Sequence, residues 1–284
     1  MADKPGGPGW RRWVVPRTGS LATLQCEISD DPLLPPAPGE VQVSVKAIGL
    51  NFADIFACLG LYSATPETPF VPGLEFAGVI VAVGDTDPAM PSGMREKVFH
   101  VGDQVMGVTR FGGYSTSINI DCAYITHIPD GWTMAQACSY PVQALTAFYG
   151  LVNLGVVAKG QTVLVHSAAG GVGMLALHIL QRLGAKVVGT VGRPGKQQVL
   201  LSRFDRSFLA PHQIIVRDAP GKRFGEQLDL ALKAIGADGM IHFAVAAWLV
   251  VCCPCTVGNL GPACIRSAHE KLSFGLCSLI SSLC

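Results

Sequence analysis

Polar and apolar residues alternate along Glu40-Val41-Gln42-Val43-Ser44-Val45-Lys46-Ala47, the period-two pattern of a strand with one wet and one buried face. The turn-forming run Pro35-Pro36-Ala37-Pro38-Gly39 launches it. A second strand is predicted from Phe76 to Val83, bounded by Pro72-Gly73 and Gly84-Asp85, and a third from Asp103 to Val108 after Val101-Gly102. Gly112-Gly113 is a further break. Short strands between Gly/Pro turns predict a small barrel or sandwich.

The pattern changes near residue 133. Thr133 to Leu154 has helical spacing, interrupted at Pro141. Thr162-Val163-Leu164-Val165-His166 then reads as a strand buried on both faces, Gly171 to Leu183 as an apolar helix ended by Gly184, and Lys186 to Val191 as a second buried strand. This βαβ unit continues into a helix over Lys196 to Arg203, a strand at Ile214-Ile215-Val216, a helix over Phe224 to Ile235 and a strand at Met240 to Val245. Alternating strands and helices predict a doubly wound parallel sheet. The expected fold class is α/β: a β-rich domain over 1–132, a partial nucleotide-binding domain over 133–245, and a divergent tail over 246–284.

Composition narrows the function classes. The chain has 284 residues, 49% of them hydrophobic and 14% charged, so a large core can form and disorder is excluded for most of it. A formal net charge of +1 without a basic run argues against nucleic acid or an anionic membrane as partner. Arg11-Arg12, between Trp10 and Trp13, reads as a solvated tail leading into a first strand. Met1-Ala2-Asp3-Lys4-Pro5 lacks the apolar core of a signal peptide, so a cytoplasmic protein is expected. The apolar run Ile241 to Val251 is 11 residues long, short of the roughly 20 that span a bilayer. Of ten cysteines, six (Cys252, Cys253, Cys255, Cys264, Cys277, Cys284) crowd the last 33 residues.

The chemistry centres on Ser167-Ala168-Ala169-Gly170-Gly171-Val172-Gly173. A pyrophosphate is drawn to the free N–H groups and positive dipole end of a helix N-terminus, and approaches only where side chains are missing. Gly170 and Gly171 are read as clearing that approach, and Gly173 as allowing the helix to pack close to the first strand. The motif has Ala168 where the usual G-x-G-x-x-G opens, but it follows a strand and begins a helix, the context it needs. An NAD site places an acid about 20 residues on, against the ribose 2′-hydroxyl. Here that stretch is Thr190-Val191-Gly192-Arg193-Pro194-Gly195-Lys196, with two cations and no acid. Arg193 and Lys196 suit a 2′-phosphate, so NADPH is the expected cofactor. As alternatives, the turn could be a tight βα turn without a ligand, and the two cations ordinary surface charges.

Several segments together resemble the quinone oxidoreductase (zeta-crystallin-like) branch of the zinc-independent medium-chain dehydrogenase/reductase superfamily. They are Pro38-Gly39-Glu40-Val41, Gly49-Leu50-Asn51-Phe52-Ala53-Asp54 with Gly60-Leu61-Tyr62, Pro72-Gly73-Leu74-Glu75-Phe76-Ala77-Gly78-Val79-Ile80, Val101-Gly102-Asp103-Gln104-Val105, Leu145-Thr146-Ala147, and Lys159 to Gly173. The resemblance covers about Trp13 to Gly239. It implies a GroES-like substrate domain followed by a Rossmann domain. It implies NADPH-dependent reduction of a quinone or an α,β-unsaturated carbonyl, and a homodimer. It also implies that Asn51, Asp54 and Tyr62 lie near the nicotinamide, that Thr146 contacts the cofactor, and that Ser167, Ala168, Gly170, Gly171, Val172, Gly173, Gly192, Arg193 and Lys196 bind it. Tyr62 is the candidate donor to the acceptor oxygen. It could equally be a packed loop aromatic, and Asn51 and Asp54 could simply cap the following helix.

Catalytic zinc in this superfamily takes two Cys and one His. The matching positions are Asn51, Leu74 and Val142, and Asp85 to His100 contains no Cys, so no metal is expected. His127 and His166 read as packed or strand-end histidines. Past Gly239 the resemblance stops. Cys252-Cys253-Pro254-Cys255 lacks a two-plus-two zinc spacing, and the tail is expected to arise from alternative splicing, a frameshift or a faulty gene model. An alternative function is therefore an NADPH-binding but inactive regulatory or interaction protein.

Overall fold

The computed structural model describes residues 10–29, 33–85, 99–217 and 223–237, and the backbone of 240–246 and 249–255. The chain divides into two compact units between Val142 and Gln143.

In the first unit, β3 (Glu40–Ile48), β4 (Glu75–Val83), β5 (Gln104–Val108), β6 (Ser117–Asp121) and β7 (Ile125–His127) form an antiparallel sheet in the order β6-β3-β4-β5-β7. The alternation seen in the sequence is the alternation of burial: Val41 and Val43 are fully buried with Phe76, Ile80, Val105 and Ile125. The backbones of β3 and β4 approach so closely at Gly78 that a Cβ there would run into the Ser44 carbonyl. A separate ribbon pairs β1 (Arg11–Val14) with β2 (Gln25–Ile28). Arg11 and Arg12 thus lie within a strand rather than a tail. Arg12 pairs with Glu27 at 3.0 Å, and its guanidinium lies 5.1 Å from the centre of the Trp10 ring.

α1 (Phe52–Cys58) lies between β3 and β4, α2 (Met134–Cys138) comes after β7, and α3 (Pro141–Phe148) begins in this unit and continues into the second. The proline that interrupts the helical pattern opens α3, where its missing N–H is not needed. The sequence puts the domain boundary at 132/133, whereas the compact units part at 142/143. The reason is packing, because Ala137 and Cys138 of α2 are buried against Ala77 of β4 and Met106 of β5.

The second unit holds β8 (Thr162–Val165), α4 (Gly171–Leu183), β9 (Lys186–Val191), α5 (Pro194–Arg203), β10 (Ile214–Val216), α6 (Phe224–Ala234), β11 (Met240–Ala246) and β12 (Leu249–Cys255). The sheet order is β10-β9-β8-β11-β12. The first four strands are parallel, and strand order reverses between β8 and β11. All four residues of β8 are buried, as its unbroken apolar run requires. Val163 and Val165 pack with Leu177 and Leu180 of α4 and Leu200 of α5. Leu164 joins Leu228 and Leu232 of α6. The sheet therefore carries helices on both sides.

One departure concerns the tail. Residues 249–255, read from the sequence as divergent, form β12 and pair antiparallel with β11, Ala246 opposite Leu249. Only residues 247 and 248 separate the strands, far fewer than the ten or more a parallel crossover needs, so the chain returns as a hairpin. The expectations for Cys264, Cys277 and Cys284, and those for residues 86–98, lie outside the described residues.

Candidate active site

The turn between β8 and α4 is built around Ser167, whose φ of +52° lies in the left-handed region that side chains disfavour. Thr190, fully buried near the end of β9, holds it there. Its Oγ1 accepts the Ser167 N–H at 3.2 Å and its carbonyl accepts the Ala168 N–H at 2.9 Å. Gly170 N–H then closes the turn onto the Ser167 carbonyl at 2.7 Å. Gly173 has no room for a side chain, since a Cβ would run into the Ser167 carbonyl and come within 2.8 Å of Ala168 Cα. Close packing of α4 on the backbone of the turn is the reason for this glycine.

The other two glycines differ. Gly170 and Gly171 are exposed on the rim. A Cβ on Gly170 would meet only the Ser167 carbonyl, at 3.1 Å. One on Gly171 would run into the Gln143 carboxamide. The space at Gly171 is thus filled from within the protein, by a side chain too far along the chain for any local pattern to reveal. The amides of Gly171, Val172 and Gly173, in the first turn of α4, have no intrahelical acceptor by position, and the helix dipole adds positive potential there.

At the end of β9 the chain passes through Gly192 to Arg193, the N-cap of α5, with Pro194 at its first helical position. Arg193 and Lys196 are exposed. An open turn with unused amides, followed by two cations and no acid, fits a dinucleotide bearing a 2′-phosphate. Thr146 lies on α3 in the same unit.

The acceptor-side candidates cluster in the first unit. Asp54, 2% exposed, sits in the first turn of α1 and its Oδ2 accepts the Asn51 N–H at 2.8 Å, the capping role considered from the sequence. The same oxygen accepts from the Tyr114 hydroxyl at 3.0 Å. Oδ1 has no partner in hydrogen-bond geometry. Burial pushes the Asp54 carboxyl upward, against the opposing effect of its donors. Tyr62 is half-buried against Val15, Ala57, Cys58 and Phe70. Burial, then the Asp54 charge, raises its phenol, with Arg110 opposing.

Glu75 and Tyr114 join this cluster although the sequence reading gave neither a role. Glu75 is fully buried. Its Oε1 accepts from Asn51 Nδ2 and its Oε2 from the Val142 N–H, both at 2.8 Å. One carboxylate thereby links two of the three positions that match the zinc ligands. Burial pushes its carboxyl upward. The signal was available, because an acid opening the apolar run Phe76 to Val83 must find partners. Tyr114 follows a glycine pair that was read only as a break. His127, expected to be packed or at a strand end, ends β7, stacks on Phe99 and lies 3.0 Å from Asp103. His166 follows β8, with Nδ1 3.3 Å from Thr190 Oγ1.

Residues 37–130 match the alcohol dehydrogenase GroES-like domain. The Escherichia coli quinone oxidoreductase complexed with NADPH superposes with a TM-score of 0.65 at 29% identity, covering 81% of this chain and 64% of that one. The CurK enoyl reductase gives 0.66 at 28%, covering 81% and 65%. A mycocerosic acid synthase-like polyketide synthase of Mycobacterium tuberculosis is 34% identical over 236 residues, 83% of this chain and 10% of that protein. The chain carries this GroES-like domain, and quinone oxidoreductases and enoyl reductases of the zinc-independent medium-chain dehydrogenase/reductase superfamily are among its structural neighbours. The chain spans under two thirds of the length of these solved relatives and about a tenth of the polyketide synthase. No helix among the described residues is long and apolar enough to cross a membrane.

Proposed function

We propose that the protein is an NADPH-dependent oxidoreductase that reduces a quinone or an α,β-unsaturated carbonyl without zinc. The observation that carries this reading is the turn at Ser167–Gly173, exposed at Ser167, Gly170 and Gly171, together with Arg193 and Lys196, and the absence of an acid from Thr190 to Lys196. In this reading residues 1–132 serve the acceptor and 133–245 the cofactor. Ser167, Ala168, Gly170, Gly171, Val172 and Gly173 build the pyrophosphate turn, with Gly171, Val172 and Gly173 offering its amides while those of Ser167, Ala168 and Gly170 are used within the turn; Gly192, Arg193 and Lys196 take the 2′-phosphate, and Thr146 the region near the reactive ring.

Bound NADPH supplies the hydride. The chain's own residues orient the acceptor and stabilise the negative charge that develops on its oxygen. Tyr62 donates a hydrogen bond to that oxygen; a phenol carries its proton at neutral pH, and burial and the Asp54 charge hold it further on the protonated side. Asn51 and Asp54 shape the same wall, Asn51 through the anchor that Glu75 gives its carboxamide.

A second reading, an NADPH-binding but inactive regulatory or interaction protein, is favoured by β12. Doubly wound sites draw on loops at the carboxyl ends of parallel strands on both sides of the order reversal. Here the strand beyond β11 runs the other way. Loss of nicotinamide absorbance with 1,4-benzoquinone or an enoyl thioester as acceptor separates the two. Turnover supports the reductase, whereas NADPH binding with no acceptor reduced supports the inactive form.

A further inference from the structure

We infer that Thr190 is the positioning residue of the phosphate turn, its buried hydroxyl holding Ser167 in the left-handed conformation from which the free amides of α4 are presented to a nucleotide diphosphate. The inference rests on the dinucleotide reading above and adds the device that makes the turn competent.

A left-handed non-glycine residue persists only where its surroundings over-determine it. Ser167 is exposed and does not pack itself into place. Two of its constraints come from the one residue Thr190, which bonds the Ser167 N–H through its side chain at 3.2 Å and the Ala168 N–H through its main chain at 2.9 Å. The third is the Gly170 N–H on the Ser167 carbonyl, which fixes where α4 starts. The same carbonyl blocks any side chain at Gly173, so a change in the peptide after Ser167 shifts the first turn of α4 as a whole.

Thr190 is itself anchored. It is fully buried, and it pairs in register with Ile215 of β10. Its hydroxyl accepts from Ser167 and lies 3.3 Å from His166 Nδ1, to which it donates when that nitrogen carries no proton. His166 in turn lies against the Phe224 ring of α6, centroids 6.2 Å apart. Thr190 also stands next to Val191, from which the chain runs to Arg193. One hydroxyl therefore ties the diphosphate turn to the strand end that leads to the two cations. A hydrophobic residue of the same shape would fill the space and lose this tie.

The test measures NADPH affinity by fluorescence titration, with the cofactor-free melting temperature as a control, in the wild type, Thr190→Val, Thr190→Ser and the double variant Thr190→Val/Ser167→Gly. Thr190→Val is expected to weaken NADPH about three- to tenfold, the range of one lost hydrogen bond. Thr190→Ser is expected to recover most of it. Glycine adopts the left-handed region freely, so the double variant should bind better than Thr190→Val alone. If Thr190→Val proves unstable, Thr190→Ala, alone and with Ser167→Gly, takes its place in the same comparison. Unchanged affinity in Thr190→Val, or a double variant that binds no better than Thr190→Val, overturns the inference. A wild type that binds no NADPH overturns the dinucleotide reading instead.

Discussion

The Tyr114 hydroxyl donates to Asp54 Oδ2 across 3.0 Å, joining the segment after Gly113 to the first turn of α1. Tyr114→Phe removes this donor from a carboxyl that is almost wholly buried. A loss of about 1–3 kcal/mol of unfolding free energy is expected, the range for an unsatisfied buried group. Urea denaturation measures it, and an unchanged midpoint would show that water replaces the hydroxyl at no cost.

Glu75 gives a pH signature of definite sign. Burial raises its folded-state pKa, so the folded protein keeps the proton to a higher pH than the unfolded chain. Between the ordinary carboxylate range and the raised value, the folded state binds more protons, and stability falls as pH rises. Glu75→Gln should flatten that fall, though Asp54 contributes with the same sign and remains. Asp103 acts oppositely. The His100 N–H and then the His127 ring lower its carboxyl, so its contribution is present above the ordinary range and lost as pH falls through the lowered value. Asp103→Asn should weaken that acid-side loss. Denaturant midpoints across pH test both, and a Glu75→Gln profile parallel to the wild type would refute the assignment.

Two glycines predict opposite outcomes. Gly173→Ala places a methyl group against the Ser167 carbonyl and Ala168 backbone, neither of which yields easily. It should lower the melting temperature and abolish NADPH binding. Gly195, in the first turn of α5, has nothing within 4 Å of an added Cβ and no positive φ. Gly195→Ala should stabilise by about 0.4–1 kcal/mol. Melting curves of the two variants compare them directly, and a stable, NADPH-binding Gly173→Ala would remove the close-packing argument.

Cofactor choice rests on charge. Arg193→Ala and Lys196→Ala should each weaken NADPH about tenfold or more, the scale of a charge-assisted contact, and leave NADH little changed. Equal losses for both cofactors would place the two cations elsewhere than on the 2′-phosphate.

Much of this was legible in the chain because periodicity and turn chemistry agreed locally. Val41 and Val43 announce β3 by alternation, Pro141 marks the break before α3, and Gly184 ends α4 in the left-handed conformation. The glycine turn was legible for the same reason, since its demands fall on consecutive residues. Long-range polar partners were not. Asn51 and Glu75 are 24 positions apart, and Asp54 and Tyr114 are 60 apart, so only the folded sheet brings them together. Gln143 against Gly171 is of the same kind. The direction of β12 was also hidden, because an apolar run reads the same in either direction, and it was the short connection after Ala246 that decided it.

The central claim, a dinucleotide site selective for the 2′-phosphate, is tested most directly by thermal unfolding with NADPH, with NADH and with neither. Ligand at a hundred times its dissociation constant stabilises by about 2.7 kcal/mol, which corresponds to a rise of roughly 5–10 °C for a chain of this size. The account predicts such a rise with NADPH and a clearly smaller one with NADH at equal concentration. A melting temperature unmoved by NADPH, or moved more by NADH, would contradict it.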